Sequence, residues 1–251
     1  MSRPAEHPVA PPVVFVDTER LALDFVECPP PPLSDGERRE VDRRWAETRG
    51  RNPATFDGPL VAALGLDLAG PGRATVRWAR TTYRHRALRE IRPPGDVPGS
   101  VYVTVLLPTD EGLVLGRGSR TTAAPGRWSL PGGAAEPPPA GCPLGLAALR
   151  GHAVRELAEE VGVTSPEAEL RLWALTRGTP FGSLGFHFLA PSAPADLVRH
   201  RHAALAAAES ARGVGPELDA IGFAAPGGPA PAPFPCADYL PQVLERYAAA
   251  G

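Results

Sequence analysis

Arg155-Glu156-Leu157-Ala158-Glu159-Glu160-Val161-Gly162-Val163 is the stretch from which the rest of this chain can be read. On a helix, Glu156, Glu159 and Glu160 lie three and four positions apart and share one face. Carboxylates on one face repel one another, and a surface helix gains nothing from that unless a cation lies against them. Hard oxygen donors of this kind suit Mg2+ or Mn2+. Arg155, four positions before Glu159, can hold or neutralise one carboxylate. Gly162 ends the helix and Val163 enters the core. An ordinary acidic helix face closed by a glycine cap explains the carboxylates equally well when they are taken alone.

Outward from this segment, 146–161 has helical spacing and few breakers. Strand-like runs precede it at 101–107 and 113–115, joined by a turn at 109–112, and follow it at 170–176, 184–189 and 218–224. Helices are predicted over 195–212 and 237–250. Strands alternating with helices indicate an α/β layered fold. The loop after the second strand passes through Gly126-Arg127-Trp128-Ser129-Leu130-Pro131-Gly132-Gly133.

The nine-residue segment resembles the second half of the Nudix box at every fixed position, and Gly126 to Gly133 resembles the strand and glycine turn that open it. The resemblance covers roughly residues 100 to 251. It implies an α/β/α sandwich around a mixed sheet and a metal-dependent pyrophosphohydrolase. In that family the helix glutamates hold the metal, here Glu156, Glu159 and Glu160, with the Gly132 carbonyl as a further ligand. The first half of the box departs from the pattern. The family's glutamate six positions after the second glycine is Pro139 here, and Arg155 stands twenty-two positions after Gly133 instead of fourteen. The loop carries about eight extra residues, including Pro137-Pro138-Pro139, with Glu136 the nearby carboxylate. A further family carboxylate on a later loop maps to Glu217, with Asp219 second. Catalytic roles therefore fall on Glu156, Glu160, Glu217 and Arg155, with either Glu156 or Glu217 as general base. His152, one turn before Glu156, reads as a helix-surface histidine.

Composition narrows the function classes. The net charge of −2 provides no basic field for nucleic acid. All 26 basic side chains are arginine, so phosphate contacts must come from Arg, His, backbone or metal. Cys28, Cys142 and Cys236 form no CxxC pair, which argues against a disulfide framework or a zinc site. Neither a signal pattern nor a membrane-length apolar run is visible, so the expectation is a cytoplasmic protein. The 32 prolines cluster at 8–12, 29–32, 137–139 and 229–235, as loops and linkers do.

Residues 1–97 form an extension to the Nudix domain at 98–251, with the boundary in the Pro/Gly-rich stretch 92–99. Strands are predicted at 12–16, 21–26, 60–66 and 74–78. A helix is predicted from a Ser34–Glu37 capping box to Trp45, and 83–91 reads as a short helix or irregular segment. The segments Arg51-Asn52-Pro53-Ala54-Thr55-Phe56-Asp57-Gly58 and Arg80-Thr81-Thr82-Tyr83-Arg84, placed before a box with an enlarged loop, are similar to those of UDP-glucose and UDP-galactose pyrophosphatases. A nucleotide sugar needs an aromatic platform and cations for its diphosphate. Phe56, Tyr83 and Phe181 are candidate platforms, and Arg80, Arg84, Arg117 and Arg127 candidate phosphate contacts. The expected function is Mg2+-dependent hydrolysis of a nucleoside diphosphate sugar, most simply a UDP-sugar giving UMP and sugar 1-phosphate. Hydrolysis of another derivative such as ADP-ribose, and a sensor that binds a nucleotide sugar without cutting it, are the alternatives.

Overall fold

In the computed structural model, which describes residues 13–16, 21–53, 55–69, 72–225 and 235–250, the chain opens with two short strands, a helix and a long hairpin. These are β1 (Val13–Val16), β2 (Ala22–Glu27), α1 (Asp35–Arg51), β3 (Pro59–Leu68) and β4 (Arg73–Thr82). A 3-10 helix (Tyr83–Glu90) leads to β5 (Gly99–Leu106), β6 (Pro108–Thr109), β7 (Gly112–Gly118) and β8 (Trp128–Ser129). Then come α2 (Leu146–Val161), β9 (Arg171–Gly178), β10 (Ser183–Leu189), α3 (Ala195–Ala211), β11 (Leu218–Ala224) and α4 (Leu240–Ala250). The proline clusters at 8–12 and 229–234, the start of the first expected strand and Ala54 lie outside the described residues.

Local chemistry accounts for the helix ends. Ser34 and Glu37 form the capping box of α1, with the Ser34 N–H donating to Glu37 Oε2 at 2.8 Å. This helix runs past Trp45 to Arg51, because no breaker occurs before Asn52-Pro53 and Arg43 ties Glu40 to Glu47 along its surface. Helix α2 ends where Gly162 adopts φ 74°, its N–H donating to the Ala158 carbonyl. The expected closing helix begins three residues late, at Leu240.

A seven-stranded mixed sheet has the order β1-β9-β10-β5-β3-β4-β2, and a smaller sheet the order β11-β7-β6 with β8 on β7. β5 and β10 pair in parallel, Val101 opposite Leu184 through Leu106 opposite Leu189. Alternation along β5 sets two layers. Val101, Val103 and Val105 turn toward Leu149, Ala153 and Leu157 of α2, whereas Leu106 joins Leu113, Leu115 and Leu130 beneath Leu240 and Val243 of α4. Helices therefore cover both faces of a mixed sheet.

The extension is built into this sheet. β3 pairs with β5 at Ala62–Ser100 and Ala63–Gly99, and the Val61 N–H donates to the Ala135 carbonyl at 2.8 Å. Val61, Ala63, Val76 and Trp78 belong to the same buried cluster as Val101 and Leu157. The apolar residues before position 97 thus bury against the strands and helix that carry the glutamates.

Candidate active site

The segment after β8 runs beside β5 and presents its glycines to α2. Val105 N–H donates to the Pro131 carbonyl at 2.8 Å and Val103 N–H to that of Gly133 at 2.9 Å. The Gly132 N–H instead donates to Glu160 Oε2 at 2.7 Å. Gly132 has φ +145°, and a Cβ there would run into the Val103 carbonyl. A Cβ on Gly133 would come within 2.5 Å of Glu156 Oε1. The two glycines are required for different reasons: one lets the backbone pass β5, the other leaves room for a carboxylate.

Glu160 is 6% exposed, and Glu159 on the same helix is open to solvent. Burial, and after it the charge of Glu156, raises the Glu160 pKa well above the carboxylate range, against the opposing Gly132 hydrogen bond. Glu217, at the end of the loop before β11, is also raised, by burial and then by Glu156 and Glu159. The four carboxylates therefore feel one another across the gap between α2 and the β11 loop. Among the described residues, no three His, Cys, Asp or Glu side chains already converge on a common metal position. Glu160 is tied to the glycine turn.

His152 and Arg155 differ from expectation. His152 is buried instead of facing solvent, and meets Glu156 one turn on along the same helix. Its Nδ1 lies 2.7 Å from Arg155 Nη2. Arginine can only donate, so Nδ1 accepts and the ring proton sits on Nε2. That nitrogen is 2.8 Å from Glu156 Oε1, close but off the line of a good hydrogen bond. Arg155 thus reaches Glu156 through the imidazole and makes no ion pair with Glu159.

Glu160 and Glu217 open onto a cavity of about 490 Å³. Tyr83, Phe181 and Arg127 line it, as do Tyr102 and Tyr239, whose stacked rings lie 5.5 Å apart. Below them His187 is fully buried, its Nδ1 2.7 Å from Thr104 Oγ1 and its Nε2 2.8 Å from Thr176 Oγ1. Burial depresses its pKa to about 3. Arg127 also pairs with Asp238 and donates to the Cys236 carbonyl at 2.9 Å. The structure does not bring the other sequence candidates here. Phe56 is 75% exposed with its ring over Gly58. Arg84 pairs with Asp42 and Asp57, Arg117 with Asp219, and Arg80 with Glu27. Arg80 also donates to the Pro138 carbonyl, so the lengthened loop lies against β4, and only Ala134 of it borders the cavity.

Tyr102 and Tyr239 were not singled out in the sequence, since one sits in an apolar strand and the other in a helix start. Arg86 and Arg89 were missed as well. Their signal is the spacing of three from Tyr83, which aligns all three residues on a 3-10 helix.

Residues 98–221 match the family model described as the NUDIX domain. No curated protein matches the chain. The solution structure of the E. coli ORF135 protein is similar at 19% identity and a TM-score of 0.39, over 60% of this chain and 89% of that one. The crystal structure of the MutT protein from Methanosarcina mazei Go1 gives 17% identity and a TM-score of 0.39, over 60% and 94%. Likeness at this level carries no weight beyond the domain match. Among the described residues, no helix is long and apolar enough to cross a membrane.

Proposed function

We propose that the Nudix domain at residues 98–221, a pyrophosphohydrolase domain, hydrolyses the diphosphate bond of a nucleoside diphosphate sugar in the cytoplasm, with UDP-sugars as the preferred class. The observation that carries this reading is Glu160, a buried carboxylate held by the Gly132 N–H at the wall of the cavity and surrounded by the charges of Glu156, Glu159 and Glu217. Uncompensated carboxylates at one wall fit a hard divalent cation, with the Gly132 carbonyl as an additional oxygen donor. Mg2+ held by Glu156, Glu159 and Glu160 would neutralise the diphosphate and acidify a water.

The protein's own groups divide the remaining work. Gly132 fixes one Glu160 oxygen and leaves the other free. The Arg155–His152 pair lies against Glu156, whose carboxylate sits over Gly133. Glu217 faces the cavity with a raised pKa, which suits it to take the proton of the attacking water. Water oxygen bonds to one phosphorus, the bridging P–O bond breaks, and UMP and sugar 1-phosphate result. Tyr83, Tyr102 and Tyr239 provide flat apolar faces for the base or sugar. The preference for a UDP-sugar is supported by the resemblance of residues 51–58 and 80–84 to those pyrophosphatases and by the position of Tyr83 in the cavity.

A panel of UDP-glucose, UDP-galactose and ADP-ribose, assayed with Mg2+ in 18O-labelled water, tests the reading. We expect UMP and sugar 1-phosphate from the UDP-sugars, with one 18O in one product. Faster cleavage of ADP-ribose would move the substrate class. Binding of UDP-sugars without turnover would make the protein a sensor.

A further inference from the structure

The stretch from the end of β4 to the start of β5 carries Arg80, Arg84, Arg86, Arg89 and Arg92. Arg80 pairs with Glu27, Arg84 with Asp42 and Asp57, and Arg92 with Glu37. Arg86 and Arg89 have no carboxylate partner among the described residues. The Arg86 guanidinium lies over the Tyr83 ring, 4.9 Å from its centre, and its Nε is fully buried without a hydrogen-bond partner. Arg89 lies 4.8 Å from the centre of the Phe181 ring and donates to Ser100 Oγ at 3.2 Å. Burial, and after it the like charge of Arg86, lowers the Arg89 pKa, so the two cations are near neighbours that destabilise each other.

Both arginines border the 490 Å³ cavity that contains Glu160 and Glu217. They also border a second cavity of about 340 Å³, which has no Asp or Glu in its lining. Two half-buried guanidinium groups, stacked on aromatic rings and lacking a counter-ion, are pre-organised for an oxyanion. The aromatic rings hold the guanidinium groups in place, and apart from the Arg89–Ser100 hydrogen bond their N–H groups have no acceptor among the described residues.

We propose that Arg86 and Arg89, supplied by the N-terminal extension, form an oxyanion-binding site in the wall between the two cavities and grip a phosphate or carboxylate group of the substrate. This rests on the nucleotide-sugar reading for the ligand, but the site itself needs no metal. The oxyanion is either the diphosphate or an acidic group on the sugar, and the chemistry is the same for both.

The test is calorimetric binding to the full chain in EDTA, with inorganic pyrophosphate, UDP-glucose, UDP-glucuronate and uridine as probes. In an Arg86→Gln/Arg89→Gln variant with an unchanged circular dichroism spectrum, we expect affinity for the anionic probes to fall about tenfold or more. Uridine binding should not change, and Arg86→Lys/Arg89→Lys should recover part of the loss. An equal loss for both UDP-sugars assigns the diphosphate to the site, and a larger loss for UDP-glucuronate assigns the sugar carboxylate. Binding of all anionic probes within twofold of wild type in the folded double variant would overturn the proposal, as would a wild-type chain that binds none of them. Anion binding that depends on these arginines in a protein that cleaves no diphosphate would sink the hydrolase reading and leave this site standing.

Discussion

The two walls of the cavity are built by opposite routes. On the acidic wall Glu160 of α2 and Glu217 face the cavity beside the glycine turn, with Glu156 and Glu159 on the same helix as Glu160. The basic wall comes from the extension, where Tyr83, Arg86 and Arg89 align every third residue on a 3-10 helix. On the acidic side like charges are packed together and tied to backbone. On the basic side the arginines are held by aromatic rings and left without counter-ions. A ligand with negative charge at its middle and an aromatic group beside it satisfies both walls. The acidic side follows from one local helical segment, whereas the basic side depends on residues that precede the matched domain.

The strongest way to break this comparison is to remove one side. Deleting residues 1–97 takes away β3 and β4 and exposes the β5 edge together with the apolar surface that covered Val101. The expected outcome is an insoluble or inactive fragment, judged by size-exclusion chromatography and turnover. A soluble 98–251 fragment with unaltered KM would separate the two walls.

Glu160→Gln keeps shape and removes charge on the acidic side. Folding should survive, and kcat should fall by roughly 10² or more at saturating Mg2+. Near-normal turnover would place the chemistry elsewhere.

Gly133→Ala pushes a Cβ toward Glu156 Oε1, a movable side chain, so turnover should drop by about tenfold with little change in melting temperature. Gly132→Ala meets fixed backbone at φ +145°, so here stability should fall, by about 2 kcal/mol. Thermal melts and kcat on both variants would show whether the two effects separate as described.

The smallest expected effect concerns the floor beneath the aromatic pair. His187 is neutral in the folded protein down to about pH 3, while an unfolded histidine titrates near 6.5. Between those values the unfolded state binds the extra proton. The histidine's contribution is therefore fully present above about pH 6.5 and lost as pH falls, at up to about 1.4 kcal/mol per pH unit. Urea melts from pH 7 to 5 should show this slope, and His187→Gln should flatten it. An identical slope in the variant would remove His187 as the cause.

The two walls also differ in how legible they were in the sequence. The glutamates, the cap at Gly162 and the glycine turn follow from local spacing, and α2 has the boundaries that spacing indicates. The basic wall could not be read that way. Arg80, Arg84, Arg86, Arg89 and Arg92 look alike in sequence, and which are neutralised depends on Glu27, Glu37, Asp42 and Asp57, which reach them from β2, α1 and the loop before β3. Phe56 seemed a platform by its motif, yet the turn at Gly58 leaves its ring outside the cavity. Tyr102 and Tyr239 meet only because β5 and the segment before α4 pack together. Residue type indicated the chemistry, whereas long-range packing decided which copies of each residue face the site.

The proposed hydrolysis depends on the carboxylates of α2 holding a divalent cation beside the cavity that Glu160 lines. Mn2+ binding followed by electron paramagnetic resonance, on wild type and on Glu156→Gln/Glu159→Gln/Glu160→Gln, tests it most directly. The expected result is saturable binding to wild type at neutral pH and a loss of about tenfold or more in the triple variant. Equal Mn2+ affinity in the two folded proteins would contradict it.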